Sequence, residues 1–63
     1  MNDEIIEVDE QQATQIIETG KPIGKFWTKS NGLYIAIDNS CGESWQEEFE
    51  SKSIMMEWLN ASI

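Results

Sequence analysis

The chain has 63 residues, with twelve acids against four lysines, no arginine, no histidine and a net charge of −8. That length supports one domain with a thin core, and the single cysteine, Cys41, excludes an intrachain disulfide and, without histidine, a Cys/His zinc site. The acidic excess disfavours direct binding to nucleic acid or anionic lipid. No stretch reaches the roughly 20 apolar residues of a membrane helix. The acidic start lacks the marks of a secretory signal, so the expected location is the cytoplasm.

Residues 1 to 8 hold Ile5, Ile6 and Val8 among acids, a pattern for either a short edge strand or a flexible lead-in. Asp9 then reads as an N-cap, with Gln12 at the capping-box position and Val8 placed to staple to Ala13. The helix it opens is predicted over Glu10 to Thr19, with Ala13, Ile16 and Ile17 as its apolar stripe, and Gly20 followed by Pro22 stops it. Residues 23 to 29 read as a strand. Asn31-Gly32 is the strongest hairpin signal in the chain, because both residues tolerate the positive φ of a type I′ turn. Residues 33 to 38 form the next strand, and residues 44 to 50 the third, after a loop around Asn39, Ser40, Cys41 and Gly42. Ser51 or Ser53 then caps a C-terminal helix whose apolar residues are Ile54, Met55, Trp58 and Leu59.

The expected architecture is α+β, in the order α-β-β-β-α. A three-stranded antiparallel meander has two short helices on one face, with a short N-terminal strand as an optional addition. A two-residue turn at Asn31-Gly32 pairs Ser30 with Leu33, Thr28 with Ile35, Trp27 with Ala36 and Phe26 with Ile37. Cross-strand partners share a face. Phe26, Leu33, Ile35 and Ile37 then face the helices, and Lys25, Trp27, Lys29, Tyr34 and Ala36 face away. The length of the second loop sets the third strand, since one residue of register moves every side chain to the other face. An odd loop is expected, placing Trp45, Glu47 and Phe49 on the helix side. The expected core is Ile16, Ile17, Phe26, Leu33, Ile35, Ile37, Trp45, Phe49, Ile54, Trp58 and Leu59.

In that arrangement Lys25, Trp27, Lys29 and Tyr34 form an open aromatic face flanked by cations, a candidate surface for a protein partner or a second copy. The competing reading of the same residues is cross-strand ring stacking covered by lysine stems. Glu43, Glu48 and Glu50 are candidates for an acidic docking surface. That surface would suit an inhibitor that mimics DNA to a nucleic-acid-binding protein.

Chemistry is hard to find. Cys41 has no neighbouring cation or histidine to activate it. The Asp38 to Glu43 run lacks calcium-loop spacing, and a turn closed by the side chain of Asp38 or Asn39 fits it better. Glu47, Glu48 and Glu50 have no evident cleft for paired-carboxylate work. Met55 and Met56 could form an adaptable binding surface, but their helical spacing favours core packing. No catalytic residue, cofactor site or metal site is expected.

The segments TGKPIGKFW, LYIAIDNSCGESWQEEF and MMEWLN, spanning residues 19 to 60, resemble the small accessory proteins carried by bacteriophages and mobile elements of Gram-positive bacteria. The resemblance implies a small cytoplasmic accessory protein that is not an enzyme.

Overall fold

The computed structural model describes residues 5–40 and 42–61. Its elements are β1 (Ile5–Glu7), α1 (Glu10–Thr19), β2 (Gly24–Ser30), β3 (Leu33–Asn39), β4 (Trp45–Phe49) and α2 (Lys52–Ala61). The class is α+β, as expected. The sheet, however, has four strands in the order β1-β2-β3-β4 and is mixed, because β1 runs parallel to β2. The apolar lead-in is thus an edge strand joined to β2 through α1. Val8 extends the pairing, its N–H donating to the Trp27 carbonyl at 2.9 Å.

Local chemistry sets the helix ends. The Asp9 carboxylate accepts from the Gln12 N–H at 2.7 Å, and the Gln12 side chain accepts from the Asp9 N–H at 3.1 Å. This is the reciprocal capping box. Gly20 stops α1 in the left-handed region at φ 69°, where its N–H donates to the Ile16 carbonyl. Ser51 caps α2, accepting from the Ile54 N–H.

The β2–β3 hairpin has the expected register, from Ser30 opposite Leu33 to Phe26 opposite Ile37. Asn31 and Gly32 turn it with φ of 54° and 78°. The β3–β4 register differs from the expected one. Trp45 lies opposite Asp38, Glu47 opposite Ala36 and Phe49 opposite Tyr34, so an even number of residues separates Asp38 from Trp45. Trp45, Glu47 and Phe49 therefore share a face with Trp27 and Ala36 rather than with Phe26 and Ile37.

The helices lie on opposite faces, which corrects the expectation that both cover one. On one side Ala13 and Ile16 of α1 pack with Phe26 and Ile37, flanked by Val8, Ile17 and Ile35. On the other, Met55 and Leu59 of α2 pack with Trp27 and Ala36, flanked by Ile5, Tyr34, Phe49, Met56 and Trp58. The core is thus two thin layers with the sheet between them. Met55 joins the core as its spacing suggested, whereas Trp45 and Ile54, both assigned to the core from sequence, are exposed. The placement of the helices differs because an apolar stripe requires a helix to dock but does not say on which face.

Candidate functional site

The proposed aromatic face is not free. Trp27 is only 8% exposed beneath α2, and Lys25 is 5% exposed. Lys25 Nζ donates to the Leu59 carbonyl at 2.8 Å. That carbonyl belongs to the last turn of α2, whose acceptors have no partner within the helix, and a cation there also meets the negative end of the helix dipole. The Trp27 and Tyr34 rings pack at 5.9 Å between centroids, tilted by 45°. Lys29 Nζ sits 5.3 Å from the Tyr34 centroid and Lys52 Nζ 5.0 Å from that of Trp27. The stacking reading of these residues therefore fits the geometry, and Lys25, Trp27, Lys29 and Tyr34 do not form an open docking face.

The loop after β3 is held by side chains. Asp38 Oδ1 accepts from the Ser40 N–H at 3.1 Å and from its hydroxyl at 2.6 Å, the expected turn. Asn39 is fully buried and donates through Nδ2 to the Pro22 carbonyl at 2.8 Å. The Ser44 hydroxyl lies 3.4 Å from Asn39 Oδ1 and 3.5 Å from the Ile16 carbonyl, binding the loop to the end of α1. Cys41 lies outside the described residues. Among the described residues, no group of three or more acidic, histidine or cysteine side chains is arranged to hold a metal. None of their helices is long and apolar enough to cross a membrane.

The remaining accessible feature is β4. Among the described residues it ends the sheet, with β3 on one side only, and Trp45, Gln46, Glu47 and Glu48 are all exposed. Trp45 is 66% exposed, the highest value among the large exposed apolar side chains of the described residues. Phe49, at the other end of the strand, is half-buried against Trp58 at a ring separation of 5.9 Å. Glu43, Glu48 and Glu50 are exposed around this edge. Glu48 sits within β4, directly opposite Ile35, while Glu50 falls just beyond the strand.

A cleft of about 350 Å³ opens on the α1 side of the same region. Glu10, Ala13, Thr14 and Ile17 of α1 form one wall, and Thr28, Ser30, Ile35 and Gln46 form the sheet side. Thr14 is oriented by donating its hydroxyl proton to the Glu10 carbonyl at 3.0 Å. Because Glu48 opposes Ile35, its carboxylate belongs to the same face as the cleft. The cleft went unpredicted from sequence. It requires α1 to cover β2 and β3 while leaving the β4 side open, a placement that no single segment encodes.

No family model matches this chain, and neither a curated protein nor a solved structure matches it significantly. The functional reading therefore rests on the chain's own geometry.

Proposed function

We propose that this protein is a small interaction module that acts by binding rather than by catalysis, and that its contact surface is the outer edge of β4 with Trp45 at its start. The carrying observation is the exposure of Trp45, 66%, on a strand whose outer side pairs with no other described strand. An exposed strand edge offers backbone donors and acceptors to another chain, and tryptophan is enriched among the residues that dominate interface energetics. The low cysteine content supports a cytoplasmic setting.

The test is affinity capture from a bacterial lysate with the wild-type chain and with Trp45→Ser. A partner retained by the wild type and lost by the variant is expected. Identical captures would remove Trp45 from the contact.

A second reading has one observation in its favour. Glu43, Glu47, Glu48 and Glu50 are all exposed in or beside β4, on a chain of net charge −8. The surface around β4 is therefore strongly anionic, as an acidic mimic of DNA requires. On that reading the captured partner is a nucleic-acid-binding protein, displaced by competing DNA and released steeply by salt. A complex indifferent to both would argue against it.

A further inference from the structure

Resting on the reading of β4 as the contact edge, we propose that its occupant is an extended, lysine- or arginine-bearing segment of a partner protein. This segment pairs with β4 as a fifth strand and sets a basic side chain beside the exposed Glu48. Strand addition to an open edge is a general recognition mode, in which the main chain supplies affinity and pockets for alternate side chains supply specificity.

The side-chain chemistry on both faces of β4 points to a cationic segment. On the α1 face an added strand runs beside Gln46 and Glu48, about 4.8 Å from β4. Both are exposed, so the stem of a lysine or arginine can lie along Gln46 while its cationic head meets the Glu48 carboxylate. On the α2 face the added strand meets Trp45 and Glu47, an exposed ring and a carboxylate, which again suits a cation. A second copy of this chain fits poorly. Pairing two β4 edges would bring together strands that each carry Glu47 and Glu48, on chains of net charge −8, and opposed like charges destabilise a strand pair.

The experiment titrates the 15N-labelled full chain with a short capped peptide of alternating lysine and valine, and with counterparts in which serine or glutamate replaces lysine. Expected are amide shifts over Trp45 to Phe49, with slowed hydrogen exchange of the outward-facing β4 amides. Glu48→Lys, an exposed change, should weaken the lysine peptide by about 5-fold or more while leaving the rest of the spectrum unchanged. Serine peptide binding at β4 as tightly as the lysine peptide would overturn the basic occupant but leave the β4 edge as the contact surface. Shifts spread over every surface carboxylate without β4 protection would overturn strand addition. Concentration-dependent β4 shifts without peptide would replace the partner with a second copy. No β4 response at about 1 mM peptide, the weak end of specific recognition, would overturn the inference. The capture comparison with Trp45→Ser would still decide the underlying reading on its own.

Discussion

Lys25 Nζ and the Leu59 carbonyl oxygen are 2.8 Å apart in the interior, so a charged side chain of β2 closes the last turn of α2. Lys25 also stands directly opposite Asp38 in the sheet. Lys25→Met keeps the stem and removes the donor. It should lower stability by about 1–3 kcal/mol, the cost of leaving a buried acceptor without its partner. Urea unfolding reads this as a lower midpoint at an unchanged slope, and an unaltered midpoint would show that this link contributes nothing.

Trp27 gives a sharper test of where α2 lies. On an open face, its loss would impair binding and leave the fold intact. Buried under Met55 and Leu59, Trp27→Ala should cost about 3–5 kcal/mol. A native domain has only about 5–15 kcal/mol in total, and one this small sits near the lower end. The expected result is a urea midpoint lowered by most of the domain's stability. An unchanged midpoint for Trp27→Ala would mean that α2 does not pack on this face.

Trp45 should behave in the opposite way. With most of its surface in solvent, Trp45→Phe should shift stability by no more than about 0.5 kcal/mol. It should also remove the most red-shifted and most readily acrylamide-quenched part of the tryptophan emission. Persistence of that component after the substitution would place the exposed indole elsewhere.

Gly20 and Gly32 form a matched pair. Both have positive φ, at 69° and 78°, but a Cβ on Gly20 would stand 2.9 Å from the Gly42 carbonyl oxygen, whereas one on Gly32 would have nothing within 4 Å. Gly32→Ala should cost about 1–2 kcal/mol for the left-handed backbone alone. Gly20→Ala should cost more, because the loop carrying Gly42 must also shift. Equal losses by thermal denaturation would show that the loop yields without penalty.

Asn39 joins three segments from a position with no solvent contact. Asn39→Asp replaces the Nδ2 donor to the Pro22 carbonyl with an acceptor, and Asn39→Ala removes both polar atoms. Both should destabilise, the aspartate more, because it buries a charge facing a carbonyl. The ranking can be read from the two melting temperatures, and an aspartate variant as stable as the wild type would contradict the Pro22 contact.

Much of the fold was legible wherever short-range chemistry decides it. Asp9 and Gln12 marked the start of α1, Gly20 its end, and Asn31-Gly32 the hairpin register, since each acts within a few residues. The face taken by α2 was not legible from its stripe alone. A signal did exist in the strand beside it: Leu33 to Ile37 is apolar throughout rather than alternating, the mark of a strand covered on both sides. The side of the sheet chosen by Trp45 depended on the parity of the loop before it, and that loop's path follows from long-range bonds of Asn39 and Ser44. The candidate site was legible in part. Glu43, Glu48 and Glu50 are indeed at the surface, whereas the Trp27 face was lost with the helix placement and the cleft had no local signature.

A sheet clad on both sides also alters what guards its alignment. In a one-sided sheet, sliding a strand by one residue puts apolar groups in water, and polarity vetoes the mistake. Here Lys25, Phe26, Trp27 and Thr28 are all buried, so what opposes a slipped β2 is the loss of specific partners: Lys25 would leave the Leu59 carbonyl and Trp27 would leave Met55 and Leu59. The Asn31-Gly32 turn is therefore the ruler of this molecule. One residue inserted there should cost more than Trp27→Ala alone, because it moves every partner of β2 at once.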